Sequence, residues 1–290
     1  ATTGDTIVFD PALTAAATAE APAVIGMTAG EFVVNKNLTI VGPGADLLVL
    51  DANSASRVLH VSVAGTNANV SGLTLRNGFV SAAGIGTTGG GVLVDAGTTL
   101  ALTACTVRGN RAQALNAFNA PPGTGQAGQN GYLASGGGIH SAGTLIVRDS
   151  AILDNESHGG RGGNGGSGTT GGFLQNGGNG GMGGGGGQAV GAGLAGTQDT
   201  NLINVTIAGN AAYGGRGGDG GAGGMGGSGA SNGNPGNGGN GGNATGAGSY
   251  TNAGTAGAEI AFSTFAAQVA TPGVGGNGFI SGPSGTFAGL

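Results

Sequence analysis

A short unit that recurs along the chain constrains the fold more than any other feature of this sequence. Each copy carries a three-residue signature with a central threonine or alanine. The five signatures are Leu73-Thr74-Leu75, Cys105-Thr106-Val107, Ser150-Ala151-Ile152, Val205-Thr206-Ile207 and Ser263-Thr264-Phe265. In three copies an asparagine follows at Asn110, Asn155 or Asn210, and a glycine cluster opens the unit at a nearly constant distance before that asparagine. Recurrence of this kind is typical of stacked-repeat folds.

The spacing between successive signatures grows along the chain. Each interval is longer than the one before it, from Thr74 to Thr106, then to Ala151, Thr206 and Thr264. The growth lies after each asparagine, in insertions at 111–135, 156–190 and 211–254. Because insertions in a solenoid form loops on one face of the stack, we expect all three to leave the same corner of successive coils. They should then stack on one another.

Within the constant part of the unit, apolar residues alternate with small or polar ones, with one break at Ala104 where a strand can bend. This period of two indicates half-buried strands. A unit of about 20 residues cannot bury its apolar face alone, whereas stacked copies bury a shared core. We therefore predict an all-β solenoid forming one domain over residues 1–290.

Two residue types inside the unit have structural interpretations. We expect Asn110, Asn155 and Asn210 to stack as an amide ladder inside a turn, a stabilising arrangement that needs no substrate. Cys105 aligns with Ser150 and Val205, so we expect it to be a small buried residue. A single cysteine cannot form an internal disulfide, so cysteine usage does not indicate the compartment.

Three segments resemble a group of bacterial surface proteins. They are the stretches from Gly4 to Leu13, from Leu38 to Asp46 and from Ser71 to Gly78, and the unit Gly136–Asn155 is similar as well. The group has a right-handed parallel β-helix of the pectin-lyase-like, polymorphic-outer-membrane-protein-like type. The resemblance implies that fold for this chain and a secreted, cell-surface location. It does not separate enzymes from structural stalks, since the fold carries both.

Glycine dominates the insertions. The chain has 73 glycines in 290 residues, and glycine fills more than half of the positions in the segments 159–187 and 214–242. The Gly-Gly-X texture has the three-residue period of an extended polyproline-II-like helix, whose backbone groups must find partners in neighbouring segments. We predict an ordered, polyglycine-II-like layer along one side of the solenoid, similar to the glycine-rich bundles of antifreeze proteins and phage tail-tip adhesins. The alternative is a flexible glycine linker.

Charged residues make up 7% of the chain and the net charge is −5, without a basic stripe, which argues against nucleic-acid binding. No apolar run reaches the roughly 18 residues of a membrane-spanning helix. Ala1 leads directly into a strand-like segment, so we interpret the sequence as a mature chain whose leader has been removed.

The sequence offers little for catalysis. It has no Asp-Asp pair, and its single lysine, Lys36, precedes the repeats. Asp149 and Asp154 are expected to flank turns. His60, His140 and His158 share no metal-ligand spacing, and we interpret them as hydrogen-bonded structural residues, with the ring of His60 exposed.

The insertions also lack ligand-binding signatures. Asp219 is the only aspartate in the two long insertions, too few oxygen ligands for a calcium site. The Arg-Gly-Gly sequences at Arg161 and Arg216 are too few for an RNA-binding tail. No glycine run continues into a phosphate-binding loop. We therefore predict a non-enzymatic protein without a metal or other cofactor.

Two functions of different classes follow. We expect foremost an extracellular structural subunit that stacks head-to-tail with copies of itself into a surface or matrix filament, because neither end of the solenoid looks capped. The expected assembly interface consists of Ile7, Val8, Phe9, Phe279, Ile280, Phe287 and Leu290. The alternative is an adhesin that binds a glycan or a cell-surface receptor through the tips of the glycine-rich loops, at Thr169, Thr170, Phe173, Leu174, Gln175, Ser231, Asn232 and Asn234. A polysaccharide lyase or hydrolase is a distant third possibility, and ice binding a fourth.

Overall fold

The structure, a computed structural model, describes residues 4–82, 87–251, 258–278 and 287–288. Short parallel strands form most of its regular structure, and one 3-10 helix (Pro11–Thr14) follows the first strand. The strands fall into seven successive passes of the chain, here called coils 1 to 7.

The strands of each coil have the following bounds. Coil 1 contains β1 (Asp5–Val8), β2 (Ala23–Gly26) and β3 (Phe32–Val34). Coil 2 contains β4 (Leu38–Val41), β5 (Leu48–Asp51) and β6 (Leu59–Val61). Coil 3 contains β7 (Asn67–Ser71), β8 (Thr74–Arg76), β9 (Phe79–Val80), β10 (Thr87–Thr88) and β11 (Val92–Val94). Coil 4 contains β12 (Thr99–Thr103), β13 (Thr106–Arg108), β14 (Arg111–Gln113), β15 (Ala134–Ser135) and β16 (Ile139–Ser141). Coil 5 contains β17 (Thr144–Leu153), β18 (Glu156–His158), β19 (Ala189–Val190) and β20 (Leu194–Gly196). Coil 6 contains β21 (Thr200–Ala208), β22 (Ala211–Tyr213), β23 (Ala244–Thr245) and β24 (Ser249–Thr251). Coil 7 contains β25 (Ala258–Ala261), β26 (Thr264–Ala266), β27 (Val269–Thr271) and β28 (Phe287–Ala288).

Each strand pairs in parallel with the equivalent strand of the neighbouring coil, and the pairs build four sheets of twelve, six, five and five strands. The register confirms the predicted repeat. The central residues of the five signatures are paired through successive coils: Thr74, Thr106, Ala151, Thr206 and Thr264. The chain is therefore an all-β, parallel-stranded protein whose arrangement agrees with the predicted solenoid.

The bends between strands require the left-handed backbone conformation. Ala104 has φ 51°, which confirms the predicted break, and Asp149 and Asn204 occupy the equivalent bend in the next two coils with φ 49° and 55°. Asp154, with φ 54°, lies at a second bend. Asp154 thus follows β17 at a bend, as predicted, whereas Asp149 lies at a bend inside β17. This conformation favours glycine, asparagine and aspartate.

The core consists of apolar columns that run through the coils. One column comprises Ile7, Ile40, Val70, Leu102, Val147, Leu202 and Ile260. A second comprises Ile25, Leu50, Leu75, Val107, Ile152, Ile207 and Phe265. Cys105 lies beside these columns and is 1% exposed, as predicted. Its burial raises the pKa of the thiol.

The predicted amide ladder is confirmed. Asn110 Nδ2 donates to Asn155 Oδ1, and Asn155 Nδ2 donates to Asn210 Oδ1, both at 2.9 Å. All three side chains are fully buried. The ladder ends in coil 7 at Gln268, whose Oε1 accepts from the N–H of Asn210 at 3.2 Å. These bonds satisfy polar groups that would otherwise be costly to bury.

The glycine-rich insertions are shorter than expected from the sequence. The first three residues and two residues near the end of each predicted range belong to strands of the coils, so the loops are 114–133, 159–188 and 214–243. The third predicted range also included β24. Each loop runs out from its coil and turns back, and we call its two halves the outgoing leg and the returning leg.

Hydrogen bonds with a three-residue period join the legs. N–H groups of the second outgoing leg bond to carbonyls of the third, in the pairs Gly159 to Tyr213, Gly162 to Arg216, Gly165 to Asp219, Gly168 to Ala222 and Gly171 to Met225, at 2.8–2.9 Å. The legs of one loop are also joined, as in Gly184 to Gly163 at 2.8 Å. The outgoing legs form one layer, which residues 272–277 extend, and the returning legs form a second layer. We call the two layers the glycine bundle. The predicted stacking of the insertions is therefore confirmed, and the flexible linker is not observed.

Glycine is necessary inside this bundle because no space remains for a side chain. A Cβ at Gly163 would overlap the carbonyl oxygen of Phe118, and one at Gly218 would overlap that of Gly163. Only the third position of each Gly-Gly-X triplet has room. The repetitive texture of the insertions therefore follows from the close approach of neighbouring backbones.

Candidate assembly ends and loop tips

The two ends of the solenoid leave apolar core residues accessible to solvent. In the column from Ile7 to Ile260, the five internal residues are at most 5% exposed, whereas Ile7 is only half-buried and Ile260 is 50% exposed. In the second column, the terminal residues Ile25 and Phe265 are likewise only partly buried. Within the described residues, no further strand covers either end.

Residues of coils 1 to 3 line an apolar cavity at this end of the stack. Its volume is about 180 Å³ and its lining has no polar surface. Inward-facing side chains of coil 1 line it, including Ile7, Phe9, Ile25, Met27 and Phe32. An apolar opening of this kind favours contact with another apolar surface over contact with water.

The predicted assembly residues do not share one environment. Ile7 and Phe9 line the cavity. Val8 points to the outer face of its sheet and is 69% exposed, because successive side chains of a strand point to opposite faces. Phe279, Ile280 and Leu290 lie outside the described residues, and of Phe287 only its place in β28 is described.

Sequence reasoning missed Ile25, Met27 and Phe32 at the first coil and Ile260 at the last. A signal for one of the end residues was available, since Phe265 occupies the apolar position of the fifth signature. The register continues from the first signature through Leu50 to Ile25, two coils upstream, and the spacing within coil 7 places Ile260 at the end of the other column.

The predicted loop-tip residues lie at or beside the turns of the second and third loops. At the second turn, Gln175 N–H donates to the Gly172 carbonyl at 2.9 Å, and Leu174 has φ 56°. Phe173 and Leu174 are 79% and 66% exposed. Thr169, Thr170, Gln175, Ser231, Asn232 and Asn234 are exposed as well.

The tips of the second and third loops are bonded to each other. Gly227 N–H donates to the Gln175 carbonyl at 3.0 Å, and Ser231 N–H donates to Asn176 Oδ1 at 3.0 Å. The tips are therefore joined into one surface, on which Phe173 and Leu174 of the second loop are exposed.

The three histidines all have hydrogen-bond partners, as predicted, but the prediction of an exposed His60 ring is wrong. The His60 side chain is 19% exposed, with Nδ1 3.1 Å from Glu31 Oε1 and Nε2 2.9 Å from Asp95 Oδ2. Arg57 completes the cluster by pairing with Glu31 at 3.0 Å. These contacts tie coils 1, 2 and 3 together on the outer face of one sheet.

The other two histidines lie in polar clusters near the glycine loops. His140 Nδ1 lies 3.2 Å from Ser135 Oγ. Burial, together with the charge of Arg57, lowers the pKa of His140 against the opposing charge of Asp95. His158 bonds to Glu156 at 2.9 Å and packs against the Tyr213 ring. Burial lowers the pKa of His158, and the bond to Glu156 opposes that effect.

The charged residues of the glycine bundle pair with one another. Asp219 bonds to Arg161 at 2.9 Å and to Arg216 at 2.8 Å, with one carboxylate oxygen for each guanidinium. Among the described residues, no group of three His, Cys, Asp or Glu side chains is arranged to hold a metal ion. No helix in the described part of the chain is long and apolar enough to cross a bilayer.

Comparisons with known proteins give little further information. No protein-family model matches the chain, and no curated protein matches it. Among solved structures, a springtail antifreeze protein from Granisotoma rainieri, described as a nine polyproline type II helical bundle, is 20% identical to this chain. The match covers 61% of this chain and 95% of that one, with a TM-score of 0.12, a value too low to support an argument.

Proposed function

We propose that this protein is a non-enzymatic, extracellular structural subunit that stacks head-to-tail into a surface or matrix filament. In this proposal the chain forms a single right-handed parallel β-helix with a polyglycine-II-like bundle along one side. The secreted location and the handedness rest on the resemblance to bacterial surface proteins. The assembly rests on the accessible ends of the solenoid.

One observation carries the proposal: the same two core columns end partly exposed at both ends of the molecule. If coil 7 of one copy stacks on coil 1 of the next, Ile260 lies beside Ile7 and Phe265 lies beside Ile25. Each core column then continues from one copy into the next. The outer edges of β1, β2 and β3 have no partner strand within the described residues. Unpaired edges template pairing with another chain, and a head-to-tail contact of this kind propagates without closing.

Electron microscopy across a concentration series tests this assembly. We expect filaments with an axial repeat of about 34 Å, from seven coils at about 4.8 Å each. Monodisperse particles at every concentration would overturn the proposal.

A matched pair of variants locates the interface. Ile7→Arg places a charge in the apolar cavity and should abolish filaments, whereas Val8→Arg, on the outer face of the same strand, should leave them unchanged. Because Ile7→Arg can also disturb coil 1, Ile260→Arg provides a second test at the opposite, more exposed end. Filaments formed by both Ile7→Arg and Ile260→Arg would contradict end-to-end stacking.

The alternative function, adhesion through the loop tips, is favoured by one feature. Phe173 is 79% exposed at a rigid turn and lies beside Leu174, and accessible aromatic side chains of this kind often anchor interfaces. The double variant Phe173→Ser and Leu174→Ser should abolish retention on cells or on a glycan array while leaving filaments unchanged. Phe118→Ser, which removes a similarly exposed ring away from the tips, is the control. Equal retention of both variants would exclude the tips as the binding site.

A further inference from the structure

The returning legs present a regular surface of amide side chains. N–H groups of the second leg donate to carbonyls of the third in the pairs Gly180 to Asn234, Gly183 to Asn237 and Gly186 to Asn240, each at 2.8 Å. The first leg joins the second in the same way. Exposed residues recur on these legs with the same period of three: Ala127, Asn130, Leu133, Asn176, Asn179, Met182, Gln188, Asn234, Asn237 and Asn240. We call this surface the amide face.

The amide face contains no charge. Residues 124–133, 176–188 and 231–243 include no Asp, Glu, Lys, Arg or His. All charged residues of the bundle lie in the opposite layer, where Arg161 and Arg216 pair with Asp219. The two sides of the bundle therefore differ in chemistry although they share one backbone arrangement.

The orientation of three amides is set by the neighbouring leg. Asn130 Oδ1 accepts from the N–H of Gly185 at 2.7 Å, and Asn179 Oδ1 accepts from the N–H of Asn234 at 2.9 Å. Asn176 Oδ1 accepts from Ser231 in the same way. Because each oxygen is engaged with the backbone, the NH2 group of each amide remains to meet a ligand.

The resulting surface is rich in donors, uncharged and rigid. Successive positions along a leg are about 9 Å apart at 3.1 Å per residue. Three of the amide oxygens already accept a backbone N–H, so the face keeps more free N–H donors than free acceptor sites. A polyanion would need cations that the face lacks. A polymer with many uncharged oxygen acceptors matches it, and the hydrogen-bonded legs reduce the entropy lost on binding.

We propose that the amide face binds a neutral polysaccharide, whose hydroxyl and ether oxygens accept hydrogen bonds from the asparagine NH2 groups. This site borders the loop tips, with which it shares Asn176 and Asn234, and it does not depend on filament formation. In this proposal the glycine bundle binds polysaccharide, whereas the coils carry the contacts between subunits.

The test is co-sedimentation of the full chain with microcrystalline cellulose, insoluble chitin and an insoluble β-glucan, with alginate beads as a charged comparison. The double variant Asn130→Asp and Asn179→Asp keeps the oxygen that accepts the backbone N–H and replaces the donor with a second oxygen. The control, Asn116→Asp with Asn119→Asp, makes the same change on the opposite layer, where these oxygens accept from Arg161 and Asn164 at 2.9 and 2.8 Å.

We expect the wild-type chain to bind at least one neutral polysaccharide. The Asn130/Asn179 variant should lose about tenfold in affinity, and the Asn116/Asn119 control should change by less than about twofold. Equal losses in the two variants, no binding to any neutral polymer, or stronger binding to alginate would each overturn the proposal. A solution of the protein that shows thermal hysteresis, together with no retention on any polysaccharide, would overturn the proposal in favour of an ice-binding face.

A second pair of variants leaves the leg-to-leg bonds untouched. Met182→Arg places a bulky cation at the centre of the amide face, and Met225→Arg makes the same change on the opposite layer; the wild-type side chains are 57% and 67% exposed. Met182→Arg should reduce binding and Met225→Arg should not. Binding that survives Met182→Arg in a chain of unchanged melting temperature would contradict the assignment of this face.

Discussion

The coils and the glycine bundle both bury closely stacked backbone segments, but they do so by opposite means. In the coils, alternate residues such as Leu102 and Val147 are fully buried, and side-chain packing supplies the cohesion. In the bundle, the interior is glycine backbone, and a Cβ at most interior positions would overlap a carbonyl of the next leg. Hydrogen bonds between legs replace the apolar core. Cohesion therefore depends on side chains in one region and on their absence in the other.

The two regions also differ at the edges that face the N-terminal side. The first outgoing leg carries Leu115, Phe118 and Pro121 where the second carries glycines, and Phe118 is 70% exposed. No leg lies on that side among the described residues, so large side chains fit there, and a proline cannot donate to another leg. Large side chains and a proline thus occupy this edge of the bundle, whereas the outer edge of β1 has no partner strand among the described residues.

Adding one methyl group inside the bundle should have the largest effect. In Gly184→Ala the new Cβ overlaps the Gln129 carbonyl, so we expect a loss of about 3 kcal/mol or more in the free energy of unfolding. In Gly185→Ala, one residue on, the new Cβ meets nothing nearer than Asn130 Oδ1 at 3.4 Å, so the change should be neutral or stabilise by about 0.4–1 kcal/mol. Chemical denaturation measures both. Similar losses would show that the bundle is not close-packed.

Shortening a core side chain should lower the free energy of unfolding more in the middle of a column than at its end. Leu102 is fully buried, so Leu102→Ala should lower the unfolding free energy by about 2–5 kcal/mol. Ile260 is 50% exposed, and Ile260→Ala should cost the monomer less than about 1 kcal/mol. The same denaturation experiment, performed below the concentration of assembly, provides the comparison. A large cost at Ile260 would mean that the last coil is covered.

Removing one side chain of the amide ladder should lower the stability of the fold, because the ladder is buried. Asn155→Ala removes bonds to Asn110, Asn210 and Val107 and leaves the buried backbone N–H of Asn110 without its partner, at an expected cost of about 2–3 kcal/mol. Asn119→Ala removes one exposed bond in the bundle and should cost less than about 1 kcal/mol. Thermal melts of both variants measure the difference. Equal melting temperatures would show that the buried ladder contributes no more to stability than one exposed bond.

The smallest effect should be a pH dependence at the junction of the two regions. Burial lowers the pKa of His140, so the unfolded chain binds more protons as the pH falls below the ordinary histidine value of 6.5. The stability contributed by the neutral ring is therefore present above that pH and is lost as the pH falls through the lower folded pKa. His140→Gln should flatten the fall in melting temperature over this window, although His158 titrates in the same direction. A pH profile identical to that of the wild type would contradict this role.

The repeat positions could be predicted from the sequence because each depends on residues close to it in the chain. The signature residues alternate, the bend at Ala104 interrupts that alternation, and the asparagines recur after a constant interval. Stacking then places equivalent residues beside one another, so the register and the amide ladder follow from spacing alone. The surroundings of His60 did not follow, because Glu31 and Asp95 come from coils whose sequences show no common motif.

The candidate site could be predicted only in part, because its surroundings also depend on contacts between different coils. The sequence predicted an uncapped first strand, but it did not separate Ile7, which faces the cavity, from Val8, which faces outward. Exposed tips were recognisable from the apolar pair Phe173 and Leu174 within glycine. The amide face was not recognisable, because the period of three does not show which layer a leg joins.

By itself, the sequence determined that this chain has stacked parallel coils, where they bend, and which insertions require glycine at two of every three positions. Those features depend on side-chain size and on spacing within one unit. The tertiary structure alone decided which surfaces the chain presents: the half-exposed ends of the core columns, the paired charges on one layer of the bundle, and the uncharged amides on the other. Such surfaces arise when residues far apart in the chain, such as Asn179 and Asn234, are brought side by side, and that proximity is set by the stacking of whole coils.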